Sequence, residues 1–192
     1  DGSTDNSSIL INEYIKKDKR IKVFFQENSG PSVARNNGII KSNGDYIVFC
    51  DSDDYVEINY VEKLLENIIK LDCNILACGY IDVSEYGVSK LNDFYNGEDV
   101  LTKENFINCI LKGVGGTLWG KIFKKDIIIT NNIRMNPDIY MCEDMIFLLE
   151  YITYCNKCGA IEDKLYNYNR LNENSISSKT NMDYYNILVK SI

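Results

Sequence analysis

"GDYIVFCDSDDYV", residues 44–56, decides how the rest of the chain is read. An apolar run from Tyr46 to Cys50 is bounded by Gly44 and Asp51, the pattern of a strand buried on both faces of a mostly parallel sheet. Asp51, Asp53 and Asp54 follow at once, and like charges so crowded repel unless a cation or a structural duty offsets them. Open α/β sheets bind ligands beyond the carboxyl ends of their strands, so these acids stand at an expected crevice. In an extended segment Asp51 and Asp53 point the same way.

Several readings compete for this turn. Asp53 or Asp54 can cap the following helix and satisfy its free N–H groups. A calcium loop of the EF-hand type wants glycine at its sixth position and glutamate at its twelfth. Counted from Asp51 these are Val56 and Glu62, so the glycine is absent and that reading falls. The remaining reading is a divalent cation. Mg²⁺ or Mn²⁺ needs only one or two carboxylates when substrate phosphates and water complete its shell. Such an ion stabilises a departing diphosphate as a Lewis acid. Spacing alone leaves the cap and the metal both open.

Outward from this stretch the chain alternates helix and strand. Before it, Ile9, Leu10, Tyr14 and Ile15 follow a capping Ser/Thr turn at helical spacing, and "IKVFFQ" (21–26) is a strand candidate. Pro31 suits the first turn of a helix carrying Val33, Ala34 and Ile40. After it, Val61, Leu64, Leu65, Ile68 and Ile69 mark a strong helix face, and 73–81 is a further strand. Residues 82–100 read as a hairpin or loop, 103–112 as a short helix, "GVGGTLWGKIF" as a glycine-rich bend, 142–155 as an amphipathic helix and 160–168 as a strand. The alternation is that of an α/β domain. One domain spans 1–178, and 179–192 is expected to be a C-terminal helix.

Composition narrows the function classes. The chain has 192 residues, 45% hydrophobic and 26% charged, which is a globular balance. A net charge of −7 and the lack of a Lys/Arg cluster argue against nucleic acid as a partner. An acidic protein that binds a phosphorylated substrate needs a metal ion to bridge the two. No apolar run reaches the ~18–20 residues of a membrane span, so a cytoplasmic protein is expected, with any membrane association peripheral and at the inner face. Seven cysteines, an odd number without a signal peptide, read as reduced thiols. Cys155 and Cys158 have zinc or redox spacing, but no histidine occurs anywhere in the chain to complete a site.

A second acidic pair, Glu143–Asp144, opens the helix at 142–155. Acids in a first turn complement the helix dipole. In a chain without histidine, a carboxylate is also the natural general base for an acceptor hydroxyl.

These pieces together resemble a known family. "DGSTDNS", "NSGPSVARNNGI", "GDYIVFCDSDD", "LWGKIFKKDII", "EDMIFLLEY" and "YNYNRLNENSIS" stand in the order and approximate spacing of the family 2 glycosyltransferases, bacterial enzymes of the GT-A fold that build surface polymers. The resemblance runs from residue 1 to about 178. It implies a Rossmann-like GT-A domain, with the mostly parallel sheet flanked by helices. The family begins with a strand like "VSIIVPVYN"; the chain opens instead at Asp1 on a turn, so an N-terminally truncated domain lacking the first strand is expected.

The resemblance also implies roles. Asp1 matches the aspartate that contacts the uracil of a UDP-sugar, and Arg35 the arginine near the nucleotide. Asp51 and Asp53 match the D-x-D motif, with Asp51 toward the ribose and Asp53 on Mn²⁺ or Mg²⁺. Asp54 is left as the helix cap. Trp119 and Lys121 match a segment flanking the donor and acceptor sugars. Asp144 matches the catalytic base, assisted by Glu143. The implied reaction is inverting transfer from a UDP-sugar donor to a hydroxyl of a polysaccharide or lipid-linked glycan. The alternative is a non-catalytic module that holds a nucleotide-sugar or glycan. A nucleotidyltransferase would want a glycine-rich basic loop, which "DGSTDNSS" is not.

Overall fold

In the computed structural model, residues 1–139 and 141–171 are described. Their elements run α1 (Ser7–Lys17), α2 (Gly30–Lys41), β1 (Tyr46–Val48), β2 (Tyr55–Val56), α3 (Tyr60–Lys70), β3 (Ile75–Ser84), β4 (Gly87–Leu91), β5 (Val100–Leu101), α4 (Lys103–Ile110), β6 (Lys121–Lys124), α5 (Lys125–Thr130), α6 (Glu143–Thr153) and β7 (Cys158–Asn169). The expected helix at 179–192, the boundary at 178 and the end of the "YNYNRLNENSIS" motif lie outside the described residues.

Among the described residues one seven-stranded sheet carries the fold, in the order β1-β6-β3-β7-β2, with β4 on β3 and β5 on β7. Strand β3 is the spine, because successive side chains point to opposite faces. Ile75 and Ala77 enter the core with Phe106, Phe123, Phe147 and Tyr151, whereas Leu76, Cys78 and Tyr80 enter the core with Leu64, Ile68, Trp119 and Tyr166. Helix α3 buries Tyr60, Leu64 and Ile68, while Val61 and Ile69 of the expected face stay exposed.

The α/β class and single-domain reading hold, but the sheet is mixed. Among the described residues β3–β7 is parallel, while β1–β6, β2–β7, β3–β4, β3–β6 and β5–β7 are antiparallel. The difference comes largely from β6, which the glycine-rich bend disguises and which runs back between β1 and β3. Of β1 only Ile47 is buried, so the apolar run there belongs to a strand flanked antiparallel and not to a parallel core strand. The 21–26 stretch has no ladder pairing among the described residues, and Phe24 and Phe25 are exposed. Helix α1 forms as expected, yet Ile9, Leu10 and Tyr14 remain exposed and it buries nothing.

Candidate active site

The acidic stretch is a turn, not an extended segment: the Asp54 amide donates to the Asp51 carbonyl at 3.2 Å. Asp54 does not cap α3, which starts at Tyr60 after Asn59. Instead its carboxylate accepts the Tyr166 hydroxyl at 2.6 Å and the Asn169 amide at 2.8 Å. The same Tyr166 oxygen accepts the Asp51 amide at 3.1 Å, and the Asn169 side chain donates to the Asp53 carbonyl at 3.1 Å. Strand β7 thus pins the turn from below, and the half-buried Asp53 carboxylate belongs to a backbone held at both sides. Burial raises the pKa of Asp54, with the Tyr166 and Asn169 hydrogen bonds opposing it.

Helix α6 begins after Cys142, which adopts a left-handed conformation at φ 64°. A non-glycine residue there carries strain of order 1 kcal/mol, a cost that clusters at functional turns. Glu143 and Asp144 follow in the first helical turn, both largely buried, with side chains 14% and 21% exposed. Burial pushes the Asp144 carboxyl up to about 7; Arg35 and Lys121 pull it down, whereas Glu143 and Asp51 push it up. A carboxyl held near neutrality is suited to general-base work. Gly116 lets the 113–117 bend lie against this turn, since a Cβ there would meet Met145 Cβ at 3.1 Å.

Arg35 joins the two acidic motifs. Its Nη2 donates to Asp51 at 3.0 Å, and its Nη1 donates to Asp144 at 3.1 Å and to Glu143 at 3.5 Å. The guanidinium is expected near the nucleotide; the structure gives both terminal nitrogens carboxylate partners. Helix α2 supplies this side chain, and Asp1 fixes the start of α2. The Asp1 carboxylate accepts the Ser29 and Gly30 amides at 2.8 and 3.1 Å and the Gln26 side chain at 2.9 Å. Asp1, expected at the uracil, is therefore a remote cap for a helix whose own N-cap residue makes no side-chain cap bond.

Trp119 is expected beside the sugars; the structure places it inside the core. The indole is 5% exposed and stacks on Tyr166, with centroids 4.6 Å apart and planes 5° apart. Its second neighbour, Tyr168, lies at 5.2 Å. Stacked in this way, Trp119 backs the tyrosine that holds the acidic turn. Lys121 is likewise interior, 2% exposed. Its ammonium donates to the Thr117 and Trp119 carbonyls at 2.7 and 3.4 Å and lies 4.8 Å from the Phe94 ring centre. Burial lowers its pKa to about 8, while Cys78, Asp93 and Asp144 act to raise it.

The donor set at the turn consists of hard carboxylate oxygens, which suit Mg²⁺ or Mn²⁺. Among the described residues no group of three or more His, Cys, Asp or Glu is placed to hold a metal by itself. Asp51 is also engaged by Arg35, so Asp53 would be the principal protein ligand and a diphosphate would have to complete the shell. Cys155 and Cys158 are both free and buried. A surface hollow lined by Asp45, Tyr46, Lys124, Lys125 and Thr130 lies beside the β1 edge. It contains none of the expected site residues, and the convergence of motifs on Arg35 outweighs its size.

Tyr166 and Asn169 are the residues that sequence reasoning missed. They sit inside the quoted "YNYNRLNENSIS" motif, but strand alternation could not mark both, since residues three apart point to opposite faces. Asp93, between β4 and β5, is a further case. Burial raises its pKa, and it neighbours Lys121, Tyr80 and the Val114 amide.

A mixed α/β sheet with an acidic turn beside its parallel pair, opposed across one guanidinium by buried carboxylates, defines a GT-A type of protein. The chain belongs to glycosyl transferase family 2, whose model matches residues 1–128. The Glu143–Asp144 pair lies beyond that match. The chain is 31% identical over 182 residues to the glycosyltransferase EpsJ of Bacillus subtilis, covering 92% of this chain and 52% of EpsJ. It is 30% identical over 190 residues to the cholesterol galactosyltransferase of Borreliella burgdorferi, again covering 92% of this chain and 52% of the relative. Among solved structures, S. aureus TarS 1–349 in complex with UDP-GlcNAc matches with a TM-score of 0.76 at 19% identity, covering 97% of this chain and 53% of that one. The chain spans about half the length of the curated relatives it matches. No helix among the described residues is long and apolar enough to cross a membrane.

Proposed function

We propose that this chain is the catalytic domain of an inverting glycosyltransferase that moves a sugar from a UDP-sugar to a hydroxyl of a surface polysaccharide or lipid-linked glycan. The observation that carries the reading is Asp144, a buried carboxyl with pKa near 7, held one guanidinium away from the acidic turn. Family membership and the fold shared with a UDP-GlcNAc complex support a nucleotide-sugar as the donor.

Asp144 takes the proton of the acceptor hydroxyl as its oxygen attacks the anomeric carbon. The bond from that carbon to the diphosphate breaks on the opposite face, UDP leaves with the electron pair, and the configuration inverts. Glu143 assists on the acceptor side, Asp51 faces the ribose, and Asp1 lines the uracil side from the loop it fixes. Asp53, together with the donor diphosphate, would hold Mn²⁺ or Mg²⁺, which when bound would supply Lewis-acid stabilisation of the departing charge. Holding donor and acceptor in line supplies much of the remaining acceleration.

Titration with UDP, with and without Mn²⁺, tests the reading alongside hydrolysis of a panel of UDP-sugars. Mn²⁺-dependent UDP binding that weakens in Asp53→Ala is the expected result. Metal-independent binding indifferent to Asp53→Ala, with no UDP-sugar hydrolysed, would overturn it.

A further inference from the structure

Arg35 sits where two motifs far apart in sequence meet. It is the shared partner of Asp51, 16 positions away, and of Asp144, 109 positions away. Its side chain is 20% exposed, and its two terminal nitrogens carry all the contacts with these acids. A guanidinium suits this task because it is planar, always charged and forks toward carboxylates, whereas an ammonium is a point charge. Without it, the carboxylates of Asp51, Glu143 and Asp144 face one another across a partly buried gap.

We propose that Arg35 is a positioning residue for the proton-transfer step: it ties the base Asp144 to the donor turn at Asp51 and keeps that base in its proton-accepting form. This rests on the glycosyltransferase reading above and adds to it a role for Arg35 that acts through Asp144. The groups facing the Asp144 carboxyl are Arg35 from α2, Asp51 from the acidic turn, Glu143 from its own helix and Lys121 from β6. Lys121 is already committed to the Thr117 and Trp119 carbonyls. Arg35 is the cation in direct contact, so its loss leaves burial and two negative neighbours to favour the protonated acid. A base protonated at neutral pH takes no proton from a hydroxyl.

The test compares wild type, Arg35→Gln and Arg35→Lys, with the fold of each checked by thermal melting. The pH dependence of donor turnover is measured together with a ¹³C-carboxyl NMR titration of Asp144. In Arg35→Gln, kcat is expected to fall about tenfold or more. The acid limb of the profile should move to higher pH, raising pH should restore part of the loss, and Arg35→Lys should recover part of both. The NMR titration of Asp144 should move the same way. An acid limb and an Asp144 titration unchanged in Arg35→Gln would overturn the proposal, even if the donor KM rises. Absence of turnover in the wild type would sink the transferase reading alone; the NMR arm still decides whether Arg35 governs Asp144.

Discussion

The Tyr166 hydroxyl donates to the Asp54 carboxylate at 2.6 Å while accepting the Asp51 amide at 3.1 Å, so one oxygen of β7 holds both ends of the acidic turn. Behind the ring, Trp119 is stacked in parallel at 4.6 Å. The indole thus supports the acidic turn from behind the tyrosine. This arrangement makes the turn's shape a property of the core and not of the loop itself.

Tyr166→Phe removes that oxygen and keeps the ring. Asp54 retains the Asn169 amide, but the Asp51 amide loses its acceptor. A stability loss of roughly 1–2 kcal/mol is expected from the unmade bonds, read by urea unfolding. UDP affinity should fall more than stability predicts, because the turn that bears Asp51 and Asp53 loosens.

Trp119→Ala should behave as a core truncation, destabilising by about 3–5 kcal/mol. Trp119→Phe should retain most of the packing against Tyr166. If Trp119→Ala melted like the wild type and lost only sugar affinity, the buried assignment would be wrong.

Gly2 has φ +61°, and a Cβ there would come within 2.5 Å of Asn28 Cβ. Gly2→Ala should therefore destabilise by more than ~1 kcal/mol, through both the left-handed backbone and the clash. Asp1→Ala should remove the remote cap of α2 at a cost of about 1 kcal/mol. Amide hydrogen exchange at Ser29 and Gly30 checks this, since both amides lose their acceptor.

The pH dependence follows from Asp144. Its folded value of about 7 stands above the ordinary aspartate value of 3.8, with burial the main cause. The folded state therefore holds this proton more tightly than the unfolded chain. The resulting stability is full below the unfolded value and is lost as pH rises through about 7. Asp144→Asn removes the buried ionisation, so the stability of the variant relative to wild type should rise between acid and mildly alkaline pH. Urea melts across that range measure it.

Much of this was legible in the sequence, for identifiable reasons. Helices α3 and α6 are read from apolar spacing because tertiary packing uses the same faces, as at Leu64, Ile68, Phe147 and Leu148. The acids Asp51, Asp53, Glu143 and Asp144 were legible as charge crowding that needs a purpose. What escaped depends on contacts between distant segments. Strand β6 hides behind a glycine-rich bend, and its pairing with β1 and β3 turns an expected parallel sheet into a mixed one. Asp54 reads as a helix cap from its neighbours, but Tyr166, 112 positions on, claims its carboxylate. Arg35 reads as a nucleotide ligand by resemblance, and only the fold brings Glu143 and Asp144 to it. Trp119 reads as a sugar contact by resemblance, and only the fold shows the β7 aromatics packed on it.

The central claim is that Asp144 is the base, and Asp144→Asn tests it most directly. The substitution keeps the shape and the Arg35 contact available but removes the proton acceptor. Measured with the UDP-sugar that the wild type turns over, the variant should bind UDP as the wild type does and lose transfer by about 10²–10⁴-fold. Transfer at the wild-type rate with UDP binding intact would contradict the account.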